Sequence, residues 1–373
     1  MMSKRIEPWY IRLQKVAVVL VSALFMFGTA PSYFVLWGSW RILSIFLSVR
    51  CYQLGDDFLY SLYQKLLLFF YEHVARIEII LYGDIEEVTK KKENVIFISN
   101  HQSTFDWLVA DVLAVRQDSI GHIRYILKDV LKWVPLYGFY FCQHNCIYVK
   151  RGKKFKLEQA EKQLHKLVKH DIPFWMVLFP EGTRYNPLNQ SVIECSQEFA
   201  KKHDLPVLQH LLTPRLRGLQ LTLRRLRANT DAIYDVTVAF SNTKDLTTKQ
   251  RLVAPGLVEF LKCNWKLHIH VTRIDIKDVP ETDEALGDWL IERYKQKDKM
   301  MERFYSDDEA VSETLADARK YCPLRLSQTL PVFLFWCLFN LPLLMTHYGR
   351  AFYWQASLFS TIVGWILVVL FAT

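Results

Sequence analysis

The stretch VIFISNHQSTFDWLVA, residues 95–110, decides how this chain is read. Val95 to Ile98 form a short apolar run of buried-strand length, and Leu108-Val109-Ala110 opens a second. Between them stand His101 and, five positions on, Asp106. A strand that hands directly to a helix is the repeating unit of an α/β sheet. Ser103 and Thr104 are good N-cap residues, so a helix is expected to start there, with Asp106 in its first turns. His101 precedes that helix, so a turn can fold its ring back toward Asp106. An aspartate bonded to one ring nitrogen fixes the tautomer and leaves the other nitrogen as a general base. The plain alternative is a polar pair on a surface turn. Ser103 reads as a cap rather than a nucleophile, and no G-x-S-x-G motif is present.

A second stretch, FPEGTR at 179–184, follows the apolar run FWMVL. A Pro-Glu-Gly turn makes a tight loop with free backbone N–H groups at a strand end, where α/β folds bind ligands. Arg184 supplies a fork matched to phosphate or carboxylate. Glu181 is suited to accept from a hydroxyl-bearing ligand or to hold the arginine. The plain alternative is a structural turn with an exposed salt bridge.

Five further runs have strand character: HIRYIL (122–127), CIYVK (146–150), FWMVLF (174–179), AIYDVTVAF (232–240) and KLHIHVTRI (266–274). Leu157, Ala160, Leu164, Leu167 and Val168 fall at helical spacing and predict a helix over 155–170. The fold class is therefore α/β, a sheet flanked by helices. SNTKDLTTKQR (241–251) is expected to be a loop.

Hydrophobic residues make up 51% and aromatics 14%, which points toward membrane contact. Residues 16–40 carry no charge, and the run continues past Arg41 to Val49; 326–346 and 351–373 are also uncharged. A spanning helix needs about 20 such residues. The first run is too long for a signal-peptide core and reads as a retained anchor. It is broken at Gly28-Thr29-Ala30-Pro31-Ser32, which leaves two readings, a re-entrant pair or a single span. The organisation expected is an N-terminal membrane anchor at 1–49, an α/β domain at 50–325 and a two-helix membrane segment at 326–373.

The net charge of +9 favours acidic partners such as lipid headgroups or phosphorylated small molecules. No nucleic-acid module is present, so nucleic acid is not expected. Seven scattered cysteines without a C-x-x-C pair read as mostly reduced and buried, which suits a cytosol-facing domain. His268 and His270 share one face of a strand but lack a third ligand, so they read as structural. PRLRGLQLTLRRLRAN (214–229) is basic and amphipathic, either a membrane-surface segment or an ordinary surface helix.

The pair NHQSTFD and FPEGTR resembles the lysophosphatidate acyltransferase family (1-acylglycerol-3-phosphate O-acyltransferases). The resemblance covers most of the chain. YILKDVLKWVPLYGFYF (125–141) is similar to the family's segment after the first motif. WLIERYKQKDKMMERFY (289–305) and the C-terminal apolar pair resemble the eukaryotic epsilon branch. NCIYVKR (145–151) matches a second motif through Tyr148, Val149 and Arg151, with Asn145 where the family usually has glycine; Asn tolerates unusual backbone angles. LPVLQHLLTPR (205–215) stands where the fourth motif lies, and only Pro206 carries over.

The resemblance implies a membrane enzyme that acylates the sn-2 hydroxyl of 1-acylglycerol-3-phosphate from acyl-CoA, giving phosphatidate. His101 would be the general base, Asp106 its orienter, and backbone N–H groups near the helix start would hold the oxyanion. Glu181, Gly182, Thr183, Arg184, Arg151 and Lys150 would bind the acceptor. Lys153, Lys154 and Lys156 would meet the acidic coenzyme or membrane lipids, or simply solvent. No metal and no cofactor beyond acyl-CoA as co-substrate is implied. The location implied is the endoplasmic reticulum, with the mitochondrial outer membrane or nuclear envelope as alternatives, and a cytosolic catalytic domain. Other readings are acylation of lysocardiolipin or lysophosphatidylinositol, a hydrolase, and a non-catalytic lipid-binding protein on the same fold; the last has no need of a His101–Asp106 pair.

Overall fold

Val95 to Ser99 are buried along their whole length, the burial of a central strand covered by helices on both faces. In the computed structural model, which describes residues 8–149, 157–245, 247–262 and 265–371, this strand lies in the middle of one eight-stranded sheet.

In chain order, α1 (Trp9–Gly28) and α2 (Ala30–Leu43) lead into α3 (Val49–Leu68), which ends in a π-helical turn at Phe69–Val74. β1 (Glu78–Gly83) and α4 (Ile85–Lys90) precede β2 (Val95–Ser99). α5 (Trp107–Arg116), β3 (Ile123–Lys128), α6 (Tyr137–Gln143), β4 (Ile147–Val149), α7 (Leu157–Lys169) and β5 (Trp175–Leu178) follow. Then come α8 (Gln190–Lys202), α9 (Leu216–Leu226), β6 (Ala232–Phe240), α10 (Leu257–Phe260) and β7 (Lys266–Asp275). α11 (Asp283–Phe304), β8 (Lys320–Tyr321), α12 (Leu326–Met345) and α13 (His347–Phe371) complete the fold.

The sheet order is β4-β3-β5-β2-β6-β7-β1-β8. The first five strands are parallel. β7 runs antiparallel to β6, β1 parallel to β7, and β8 antiparallel to β1. All six strands expected from sequence are present, and so is the helix expected over 155–170, as α7. β1 and β8 were not foreseen. β1 follows the π-helical turn with no Gly or Pro to mark its start, and β8 has only two residues. The core is two apolar layers. One lies between the sheet and α1–α3, α5 and α12; the other lies between the sheet and α7, α9 and α11.

Among the described residues, three helical segments are long and apolar enough to cross a membrane: Trp9–Phe46, Leu326–Met345 and His347–Leu370. Across the break in the first, Thr29 N–H donates to Phe25 O and Tyr33 N–H to Thr29 O. Pro31 has no N–H to give, and Thr29 keeps helical backbone angles, so α1 and α2 follow one continuing helical path. Pro331 and Pro342 lie inside α12. Ser32 Oγ donates to Asn340 Oδ1 at 2.5 Å, and Tyr353 Oη to Gly28 O at 2.7 Å, so the terminal helices pack on the N-terminal pair.

Candidate active site

Parallel strands place their carboxyl ends along one edge, and open α/β sheets bind ligands at that edge. The loop after β2 carries His101 and Asp106, and the loop after β5 carries Glu181 to Arg184. β5 and β2 are neighbours, so the two motifs meet although 80 residues separate them. Lys150, Arg151, Lys153, Lys154 and Lys156 follow β4 and lie outside the described residues.

His101 Nδ1 is 2.8 Å from Asp106 Oδ2. The expected helix start at Ser103 is not observed: α5 begins at Trp107, with Asp106 as its N-cap residue. The reason is local competition. Asp106 Oδ2 also accepts the N–H groups of Gln102 (2.6 Å) and Ser103 (2.8 Å), and Ser103 Oγ accepts from Phe105 N–H (3.0 Å). These bonds hold 102–106 in turns and replace helical ones. They also occupy three of the backbone donors expected to serve an oxyanion. The Asp106 side chain is wholly buried, while that of His101 is 19% exposed. The His101 ring stacks on Phe179, with centroids 4.5 Å apart. One ring nitrogen is thus held from behind, and among the described residues nothing bonds to Nε2.

Glu181 does not face outward as a ligand for substrate. It is buried, and its two carboxyl oxygens accept His101 N–H (2.9 Å) and Leu212 N–H (3.1 Å). Tyr185 N–H returns to His101 O at 2.7 Å. The β5 loop therefore clips the backbone of His101 from both sides. Burial pushes the Glu181 carboxyl up to about 8, and the Asp106 charge adds to it.

Gly182 has φ +66°, a left-handed turn that suits glycine, and its N–H closes onto Phe179 O at 2.9 Å. Thr183 is half-buried and Arg184 is exposed. Arg215, which sequence reasoning passed over, approaches Gly182, and its N–H donates to Pro180 O at 2.8 Å. Leu212 and Arg215 rather than Pro206 are thus the parts of the fourth segment that reach the loop. Two arginine side chains, Arg184 and Arg215, are exposed beside the Glu181–Gly182 turn.

Arg251 was also unforeseen. It lies between the rings of Tyr185 (4.2 Å) and Tyr305 (4.7 Å). Its guanidinium donates to Gln102 Oε1 (2.5 Å) and His210 O (2.8 Å). Gln102 Nε2 in turn donates to Val238 O at 2.6 Å, and the Asn100 amide pairs with both Val238 N–H and O. The residues flanking His101 are therefore fixed to β6. The loop at 241–251, as expected from its polarity, supplies this arginine; no local pattern marked it.

Other expected features behave as follows. His268 is held by Tyr82 Oη (2.8 Å) and Ser241 Oγ (2.9 Å), a structural role. The basic segment at 214–229 forms α9, with Leu219, Leu223 and Leu226 buried and Arg224 and Arg225 paired to Asp283 and Glu161. It is an ordinary packed surface helix. Asn145 has φ +61°, so it does fill the glycine-like turn. All six described cysteines are free thiols, but only Cys146 is buried; Cys51 and Cys195 are exposed, contrary to the expected burial. Asp56, Asp57 and His144 form a buried group with ligand-like spacing. Arg124 fills it, donating to Asp57 (2.5 Å) and lying 2.8 Å from His144 Nε2, while His144 Nδ1 meets Asp56 at 2.5 Å. The group reads as an internal ion cluster that joins α3 to β3 and the turn before β4.

The profile of the Acyltransferase family matches residues 81–239, and that of the Acyltransferase C-terminus family matches 260–336. The chain is 42% identical over 354 residues to 1-acyl-sn-glycerol-3-phosphate acyltransferase epsilon of Mus musculus, covering 94% of this chain and 96% of that one. It is 28% identical over 315 residues to probable 1-acyl-sn-glycerol-3-phosphate acyltransferase 5 of Arabidopsis thaliana, covering 82% and 79%. It is 30% identical over 218 residues to the delta enzyme of Pongo abelii, covering 57% and 54%. With the acyltransferase profile on the sheet that carries His101 and near-complete coverage of the mouse protein, the chain belongs to the 1-acylglycerol-3-phosphate O-acyltransferase family, in its epsilon-type branch.

Proposed function

We propose that this acyltransferase moves a fatty acyl group from acyl-CoA to the sn-2 hydroxyl of 1-acylglycerol-3-phosphate, giving phosphatidate. The observation that carries the reading is the buried Asp106 carboxylate 2.8 Å from Nδ1 of a part-exposed His101. His101 Nε2 takes the hydroxyl proton as the oxygen attacks the thioester carbonyl. A C–O bond forms, the C–S bond breaks, and the imidazolium returns the proton to the leaving thiolate. Asp106 holds the tautomer and stabilises the cation. Neither a covalent enzyme intermediate nor a metal enters this scheme. Arg184 and Arg215 hold the acceptor phosphate, with Lys150 and Arg151 assigned to the same task from sequence. The names of the relatives support this substrate.

The catalytic domain, 50–325, is proposed to face the cytosol on the endoplasmic reticulum membrane. Lys4, Arg5, Arg12 and Lys15 keep the N-terminus cytosolic by the positive-inside rule. Arg12 and Lys15 share a surface hollow with Lys262, and Arg41 adjoins Lys162 and Lys166. The α1–α2 segment therefore lines hollows of the α/β domain near both its ends, and on this placement we base the re-entrant reading over a span. Leu324 N–H donates to Glu72 and Trp365 Nε1 to Trp133 O, so both ends of the α12–α13 hairpin bond to the same domain.

The test is a panel assay. The purified protein is offered several lysophospholipids with several acyl-CoA donors. Preferred turnover of 1-acylglycerol-3-phosphate supports the reading; preferred turnover of lysocardiolipin or lysophosphatidylinositol replaces the acceptor, and release of free fatty acid alone replaces the reaction.

A further inference from the structure

We propose that the groove between α2, α6, α7 and α13 binds one anionic phospholipid of the surrounding bilayer, at a place separate from the acyl-transfer site. The groove encloses about 800 Å³, within the range of small-molecule sites. One wall is basic: Lys162, Lys166 and Lys169 recur on a single face of α7, and Arg41, its guanidinium 4.9 Å over the Tyr52 ring, lines the same groove from the end of α2. The other wall is apolar, with Ile42, Ile45 and Leu367 from the membrane segments and Phe139 from α6. Among the described residues that line it, none is acidic. Glu161 of the same helix points elsewhere, to Arg225.

This combination suits an amphiphile with an anionic, phosphate-bearing head. A phosphate-bearing headgroup meets four cations, and the acyl chains continue along an apolar wall built from the membrane helices themselves. Arg41 is the only charged residue between Val16 and Val49, so it marks the depth at which a headgroup would sit. Burial lowers Lys166 below the usual ammonium range, a cost that a neighbouring phosphate offsets.

The groove is not placed to hold the acyl donor for His101. α7 leaves the carboxyl end of β4 and returns to the amino end of β5, so Lys166 to His170 lie toward the edge opposite His101. β4 is also three strand spacings from β2, about 14 Å.

The experiment uses the full chain in mild detergent and measures retained lipid by native mass spectrometry after exposure to mixed phosphatidylcholine and phosphatidylglycerol. Phosphatidylglycerol is the probe because it is neither substrate nor product of the proposed reaction. The wild type is expected to retain phosphatidylglycerol in preference to phosphatidylcholine. Lys162→Gln, Lys166→Gln and Lys169→Gln together are expected to lower that retention roughly tenfold or more. The matching Lys→Arg triple should keep it, and KM for acyl-CoA in lipid-free detergent should not move. If the Gln triple unfolds, Arg41→Gln with Lys169→Gln, both exposed, carries the same test. Equal retention of the two lipids, or undiminished retention in the folded Gln variant, overturns the proposal. A raised KM for acyl-CoA with retention intact also overturns it and gives the groove to the coenzyme phosphates. Retention needs no turnover, so this outcome is independent of the reaction assigned above.

Discussion

Asp106 Oδ2 accepts from His101 Nδ1 and from the N–H groups of Gln102 and Ser103, so a single oxygen fixes both the ring and the backbone that carries it. Asp106→Asn keeps the size but puts an amide where three donors converge. We expect kcat to fall by about 10³–10⁴-fold with a much smaller change in acceptor KM. Steady-state kinetics on the folded variant check this; a loss of less than tenfold would show that orientation is supplied elsewhere.

Glu181 gives a pH signature. Its carboxyl is raised in the folded protein from an ordinary 4.5 to about 8, so the native state binds that proton more tightly than the unfolded chain. Stability from this group is complete at acid pH and is lost as pH rises between those two values, by at most about 1.4 kcal/mol per pH unit. Glu181→Gln removes the titration. Thermal unfolding across this window should therefore show the variant gaining on the wild type as pH rises, then running parallel above about 8. A constant difference would mean that Glu181 is ionised throughout.

Arg184→Ala and Arg215→Ala should weaken the acceptor and spare the donor. A charged hydrogen bond to phosphate contributes about 1.5–3 kcal/mol, which corresponds to a rise in lysophospholipid KM of roughly ten- to a hundredfold. Arg151→Ala is expected to act in the same way. If only KM for acyl-CoA moves, these side chains belong to the donor site.

Topology can be read from the loop at 241–251. A single cysteine placed there, in a background lacking the exposed Cys51 and Cys195, should react with a membrane-impermeant thiol reagent added to the cytosolic side of intact organelles. Protection from that reagent, with labelling after permeabilisation, would make the first apolar segment a true span.

The sequence carried the sheet and the His101–Asp106 pair because both are local signals. VIFIS and WMVL are continuous apolar runs, and both prove to be fully buried central strands. His101 and Asp106 sit close enough in the chain for one turn to join them. What remained hidden depends on long-range closure. Glu181 was legible as part of a motif, but its inward aim follows from Leu212 and His101 both donating to it. Arg215 and Arg251 reach the site from loops whose composition marks only a turn before a helix and a polar connection. The Asp56–His144–Arg124 cluster joins three separate elements, so no window of sequence contains it.

The most direct test is acyl transfer from oleoyl-CoA to 1-acylglycerol-3-phosphate by purified His101→Ala, alongside a thermal unfolding curve of the same sample. His101 contributes its ring to the site and little to the core, since its backbone bonds to Glu181 and Tyr185 survive the change. We predict unfolding close to that of the wild type with turnover at background. Near-wild-type turnover in a folded His101→Ala protein would contradict the assignment of His101 as the general base.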